Sequence, residues 1–254
     1  MIKKILNSII FFMISFLSIL QSSVRRIRKV KFDSYPENYK FYNKKYYFIL
    51  FGKDKYVSRN TFVNGPHDFQ LLKKAIKILN RKIYFLIDVG ANIGTFCIPA
   101  VKDKIIKKCI AIEPVYKINK ILNTNILLND LNQEIQVFDN IISNKKSQKL
   151  SLLTNKNNYG DNKFFISKKL NKKSNSIQLD SFINFFDTKK LIIKIDVQGF
   201  EDRVLIGAKK FIKSKVPLLI EFNQNFIRSN YFNKIVLLLK KNYKYVCILD
   251  DQKN

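Results

Sequence analysis

One histidine and three cysteines in 254 residues leave little room for metal or disulfide chemistry. Cys97, Cys109 and Cys247 are odd in number, far apart and flanked by apolar residues, so they make neither a disulfide framework nor a metal-ligand spacing. They read as small buried hydrophobes in a reducing cytoplasm. His67 has no ligand partner near it in sequence and reads as a loop histidine before a catalytic one. No metal is expected. Arginine is scarce too, at seven of 47 basic residues. A formal net charge of +28 would ordinarily point to a polyanion, but planar bidentate recognition of phosphates and bases favours arginine over lysine. The lysines are strewn among Asn and Ile along the whole chain, so a solvated lysine-rich surface is the better reading and nucleic acid is disfavoured as a partner. No internal repeat is present, and a chain 46% hydrophobic and 13% aromatic is too apolar to be disordered.

Long hydrophobic runs are also missing. The most apolar one, Ile5 to Leu20, is broken by Asn7, Ser8, Ser15 and Ser18 and is shorter than a comfortable membrane span of ~20 residues. Lys3 and Lys4 precede it, and Arg25, Arg26, Arg28, Lys29 and Lys31 follow. As a helix it gathers serines on one stripe, which suits a signal anchor or a helix lying at the cytoplasmic membrane face. A buried structural helix and a cleaved export signal are the other readings. The last is opposed by the missing small-x-small site and by the basic cluster after the run.

What is present is alternation. Phe41 to Gly52 is aromatic and β-prone and is expected to form a hairpin with Lys55 to Val63 through Gly52-Lys53-Asp54. Leu71 to Leu79 has helical spacing. From Ile83 onward, expected strands (Ile83–Val89, Cys109–Ile112, Glu134–Phe138, Leu191–Val197, Pro217–Phe222, Tyr245–Leu249) alternate with expected helices (Thr95–Val101, Val115–Leu128, Glu201–Ile212, Phe232–Leu239). Such alternation implies a Rossmann-like, doubly wound α/β fold, its sheet mostly parallel with helices on both faces. The polar sector from Ser143 to Asn175 is expected as strands and loops over the mouth of a site. The chain divides into an apolar and basic helix at 1–31, a hairpin and helix at 32–80, and the catalytic domain at 81–254.

The first long strand runs into Asp88-Val89-Gly90-Ala91-Asn92-Ile93-Gly94, with a helix expected next. In a doubly wound sheet, ligands bind beyond the carboxyl ends of the strands, which places this turn in the crevice. Gly90 lets the chain turn and Gly94 allows close approach at the helix start. A dinucleotide site would need Gly-x-Gly-x-x-Gly to seat a pyrophosphate. Here the first of those positions is Asp88, unhelpful beside phosphate but suited to a cationic amino-acid ligand. S-adenosylmethionine is such a ligand, a sulfonium and an ammonium without phosphates. Glu113 ends the next strand, 19 positions beyond Gly94, where an acid can accept hydrogen bonds from two ribose hydroxyls. Asn92 lies within the turn, and Asp139 and Asn140 follow the third strand, where an adenine edge could be read. Asp or Asn at such a turn is also common for local reasons alone.

These segments, with Ala111-Ile112-Glu113-Pro114, Leu179-Asp180-Ser181-Phe182, Lys194-Ile195-Asp196-Val197-Gln198-Gly199-Phe200-Glu201 and Leu219-Ile220-Glu221, resemble the FkbM family of methyltransferases in content and order over roughly residues 60 to 225. The resemblance implies methyl transfer to a hydroxyl, often on a sugar, glycolipid or polyketide-type product. One departure is Gln198, where the family usually has Glu. It removes a charge near the site and counts against an acid or a metal at that position.

Lys194 and Asp196 are two apart on one strand and so share a face near its carboxyl end. A charged pair on a buried strand is costly unless it is satisfied or useful. Asp196 is read as accepting the hydroxyl proton and Lys194 as fixing its position; the alternative is a structural ion pair under the cofactor loop. Glu201 opens the next helix, and Glu221 ends the next strand at the same sheet edge; both join the candidate catalytic set. Two rival functions stay open, a nicotinamide-dependent oxidoreductase and a lysine-rich RNA- or membrane-binding protein with a vestigial cofactor site.

Overall fold

The computed structural model describes residues 2–34, 39–66, 68–153, 162–166, 175–221 and 232–249. Helix α1 (Ile2–Ser34) leads into an antiparallel hairpin of β1 (Tyr39–Asn43) and β2 (Tyr47–Phe51), followed by α2 (Val57–Asn64) and α3 (Gln70–Leu79). The hairpin differs from expectation. It closes at residues 44–46, and the stretch expected as its second strand is the helix α2. The cause is Asp54, whose carboxylate accepts the backbone N–H groups of Tyr56 and Ser58 at 3.0 and 2.9 Å and so caps a helix start.

Alternating strands and helices then build the centre: β3 (Phe85–Val89), α4 (Cys97–Lys102), β4 (Lys108–Ile112), α5 (Tyr116–Leu128) and β5 (Ile135–Phe138). Short strands β6 (Ile141–Ile142), β7 (Leu150–Leu153), β8 (Lys163–Ile166) and β9 (Ser176–Ile177) follow. The chain returns with β10 (Leu191–Ile195), α6 (Glu201–Ile206), α7 (Lys209–Lys213), β11 (Leu218–Ile220) and α8 (Phe232–Asn242). The central sheet is β11-β10-β3-β4-β5, all parallel. The chain moves outward from β3 through β4 to β5, then crosses to β10 on the other side. The order therefore reverses between β3 and β10, where a doubly wound sheet opens its crevice.

Both sheet faces are buried, as parallel strands require. Leu86, Cys109, Ala111 and Ile192 pack toward α4, α5 and the hairpin, while Ile87, Val89, Ile110, Ile112, Ile193 and Ile195 pack toward α6, α7 and α8. Two amides of α5 clamp the hairpin. Asn125 Oδ1 accepts from Ile49 N at 2.7 Å, and Asn129 Oδ1 accepts from Tyr47 N while its Nδ2 donates to Tyr47 O at 2.7 Å. These side chains take the place of a neighbouring strand along β2.

The helix expected over 201–212 is split at Gly207-Ala208. Gly207 sits so close to Ser143 that a Cβ would come within 2.3 Å of its carbonyl oxygen, and Gly207 O accepts from Asp180 N. The Asp180 carboxylate restarts the helix by accepting Lys210 N at 2.9 Å. The strand expected at Tyr245–Leu249 pairs with no strand among the described residues; Tyr245, Val246 and Ile248 are exposed, with no sheet face to bury. Within the polar sector, β7 and β8 form an antiparallel pair, while residues 154–161 and 167–174 lie outside the described residues, as do Phe222 and His67.

Candidate active site

At the β3 to β10 switch point the chain leaves β3 in a turn that only glycine fits. Gly90 has φ +82, and a Cβ there would stand 1.9 Å from the carbonyl oxygen of Asp196. The turn of β3 and the end of β10 are thus in backbone contact. Asn92 follows at φ 50, its side-chain oxygen accepting from Ile93 N at 2.8 Å, the local bond that lets asparagine hold a left-handed conformation. Gly94 (φ 91) closes the turn against Ile98.

Glu113, at the end of β4, ties this turn to the next loop. Its two oxygens accept from Asn92 N at 3.1 Å and Val115 N at 2.9 Å. Burial pushes its carboxyl up to about 7, against the pull of those two amides. Each oxygen keeps a second lone pair, and the residue lines the cleft.

Asp88 lies underneath. It is fully buried, does not line the cleft, and faces Lys194, its register partner on β10, at 3.2 Å. Neither Asp88 oxygen has a hydrogen-bond partner of good geometry among the described residues, so the ionic contact alone compensates the buried charge. The Lys194 ammonium also donates to Gly90 O at 3.0 Å and stands 3.4 Å from Asp196. Burial disfavours the ammonium, but Asp88 and Asp196 outweigh it and raise its pKa, so it stays charged. Burial raises the Asp88 carboxyl, with Lys194 opposing. Lys194 therefore joins the glycine turn to Asp196 at the end of β10.

Asp196 is part-exposed in the cleft. Its Oδ1 accepts from Gln198 Nε2 at 2.8 Å, and Gln198 adopts φ 53 to reach it. Glu201 is buried beneath this loop, where it accepts from Gly199 N at 3.0 Å and Val197 N at 3.3 Å. Its carboxylate is spent on shaping the loop. Glu221, just beyond β11, lines the same cleft and is pushed up to about 7, first by burial and then by the neighbouring Asp196 carboxylate. Of the two positions after β5, Asn140 lines the cleft and Asp139 does not; both bond Asn175, Asp139 through Asn175 Nδ2 at 3.3 Å and Asn140 through Asn175 O at 3.4 Å.

The cleft encloses about 1210 Å³. Sequence reasoning passed over two contributors to its wall, the aromatic Phe96, whose ring faces Lys194 at 5.6 Å, and the segment 243–249. An aromatic just after a glycine turn was a signal that could have been read. The tail segment carried none.

Residues 88–247, more than half of the chain, match the methyltransferase FkbM domain. The chain belongs to the FkbM methyltransferase family. The match begins at Asp88, the first residue of the glycine turn, and takes in every candidate site residue from there to Glu221. No curated protein matches the chain significantly. Among solved structures, M. jannaschii TYW2 in complex with AdoMet is similar at 15% identity and a TM-score of 0.38, over 82% of this chain and 74% of that one. The aTrm5 protein, solved with tRNALeu, is similar at 22% identity and a TM-score of 0.31, over 41% of this chain and 29% of its own. PH0793 of Pyrococcus horikoshii is similar at 18% identity and a TM-score of 0.29, over 40% and 36%. The chain thus spans well under half the length of the last two. None of the three assigns an acceptor to this FkbM protein.

Proposed function

We propose that this protein transfers a methyl group from S-adenosylmethionine to a hydroxyl oxygen of a small molecule, sugar or glycolipid. The observation that carries the reading is the joining, at one switch point, of a glycine turn tied to a cleft-lining Glu113 with an acid pair, Asp196 and Glu221. The donor set fits the cofactor. Lys194, the base inside this cluster, is already neutralised by Asp88 and Asp196, so the surroundings suit a cation and not a pyrophosphate. The nicotinamide reading has no comparable support.

S-adenosylmethionine supplies a methyl group on a sulfonium. The chain's own residues do the rest. Gly90, Ala91 and Asn92, which line the cleft, would present backbone to the cofactor, Glu113 would offer its remaining lone pairs to the ribose hydroxyls, and Asn140 would meet the adenine edge. The acceptor hydroxyl must lie opposite the leaving sulfur, and such alignment is worth effective molarities of roughly 10⁵–10⁸ M. The Asp196 and Glu221 pair would take the proton that the acceptor hydroxyl gives up as its oxygen bonds the methyl carbon and the carbon–sulfur bond breaks to leave a neutral thioether. Lys194 and Gln198 fix Asp196 in place, and Glu201 holds the loop between them.

Calorimetric titration with S-adenosylmethionine, followed by incubation with labelled cofactor and a panel of glycans and glycolipids, tests the reading. Saturable cofactor binding and a base-stable ether-linked label are expected. A folded protein that binds no S-adenosylmethionine would overturn it.

A further inference from the structure

Helix α1 continues far past the body of the protein. Its last turns are fastened: Phe32 is buried against Phe62 at 5.5 Å, Arg28 donates to Val63 O at 3.0 Å, and Asp33 pairs with Arg59. From Met13 to Ile27 every residue but Ser15 is exposed. Met13, Ile14, Phe16, Leu17, Ile19, Leu20, Val24 and Ile27 are 40–67% exposed. Eight large apolar side chains in water on one helix are a standing cost that a partner must relieve.

The helix has sides. At 100° per residue, Ser15, Ser18, Ser22, Arg25 and Lys29 alternate at three- and four-residue steps and fall on one narrow polar stripe. From Ile10 to Ile27 apolar residues hold most of the remaining circumference, interrupted by Gln21 and Ser23, and Arg28 and Lys31 end the apolar arc at its carboxyl side. A coiled-coil seam with a second copy would need the reverse, a narrow apolar stripe on a mainly polar helix. The charge also selects the partner. Arg25, Arg26, Lys29 and Lys31 are exposed, and the first acidic residue of the chain is Asp33. A parallel pair of such helices would bring these charges together.

We propose that residues 10–31 of α1 are an interfacial anchor for an anionic lipid bilayer. The wide apolar arc lies among the acyl chains, and the serine stripe, with Arg25 and Lys29 extending it, faces the headgroups. No helix among the described residues is long and apolar enough to cross a bilayer. Over residues 10–29 the buried length is about 30 Å. Anchoring also orients the enzyme, because α1 is fastened to α2, and Tyr56 and Val57 at the start of α2 line the cleft.

The test is flotation of the full chain with vesicles of phosphatidylcholine, with and without phosphatidylglycerol, beside light scattering in their absence. Binding to the anionic vesicles, weakened by salt, is expected. At about fivefold per base near the surface, Arg25→Gln with Arg26→Gln weakens it about 25-fold. Leu17→Asn with Leu20→Asn abolishes it, with the melting temperature unchanged because neither side chain packs on the body. Equal binding to neutral vesicles, no loss in either double variant, or a stable dimer that floats with no vesicle would overturn the proposal. So would protease protection of an N-terminal tag inside sealed vesicles, the mark of a spanning helix.

Discussion

Cofactor binding should release protons, because Glu113 is half protonated near neutral pH and must ionise to accept from a ribose diol. Its carboxyl stands at about 7 in the unliganded protein, against an ordinary 4.5, with burial as the main cause. Two hydroxyl donors favour the charged form and return the pKa toward its ordinary value. If the return is complete, linkage gives a release of about 0.9 proton at pH 6, about 0.5 at pH 7 and about 0.1 at pH 8. Affinity should follow, weaker by about tenfold at pH 6 than at pH 8, or about 1.4 kcal/mol. Calorimetry in two buffers of different ionisation enthalpy reads the proton count directly. Glu221 also titrates at about 7, so Glu221→Gln separates the two and should leave most of the release intact. A flat affinity from pH 6 to 8 with no proton release would refute the ribose role of Glu113.

Without cofactor the same carboxyl acts the other way on stability. Its folded pKa is raised, so ionisation costs the fold about 3 kcal/mol, a penalty absent below pH ~4.5 and complete above pH ~7; thermal melting should show stability falling as pH rises through that window. Gly90→Ala places a Cβ against the Asp196 carbonyl in a left-handed backbone, and about 1–3 kcal/mol of strain is expected, with cofactor binding lost in calorimetry. Asp196→Asn should lower kcat about 10²–10⁴-fold while changing cofactor affinity little, measured under saturation; a near-wild-type rate would leave catalysis to alignment. Lys194→Met strands Asp88 as a buried, uncompensated charge and should cost about 3–5 kcal/mol by denaturant melting. Asp88→Asn in the same chain should recover most of that loss.

How much of this was legible in sequence depends on how local each cause was. β3, β4 and β10 are short, largely apolar runs, with Asp88 next to last in β3 and Glu113 and Asp196 just after β4 and β10, and a run of that kind reports a strand buried on both faces. The glycine turn and Glu113 were legible for the same reason, since spacing along the chain is what fixes them. The segment Lys55 to Val63 was misread because its residues are β-prone enough, while the deciding capping by Asp54 involves only two amides. Tyr245–Leu249 has strand composition but pairs with no strand among the described residues, a fact that propensity does not contain. Asp180 capping α7 from 30 residues away, and Asn125 and Asn129 clamping β2 from 76 and 82 away, are products of the fold itself. Asp88 shows the subtler limit. Its position in the motif was plain, yet placing it beneath the turn, with Lys194 between it and Asp196, required the register of β3 against β10.

That register sets Gln198 beside a crowded row of charges. Three charges already lie in a row, with Asp88 and Asp196 each within 3.4 Å of Lys194. One ammonium thus serves two carboxylates, and Glu221 brings a third acid into contact with Asp196. A glutamate at 198 would sit where the Gln198 amide donates to Asp196 at 2.8 Å, and two carboxylates at that distance cannot both stay ionised. The amide supplies instead a neutral donor to Asp196 Oδ1. Gln198 therefore orients Asp196 without adding a charge, while Glu221, raised by burial and by Asp196, titrates at about 7. In a chain with 47 basic residues and 19 acidic ones, the cleft wall as a whole is balanced, with Asp68, Glu113, Asp196 and Glu221 against Arg81, Lys194, Lys215 and Lys244; it is at the ends of β4, β10 and β11 that three acids meet the single base Lys194, an environment suited to a sulfonium.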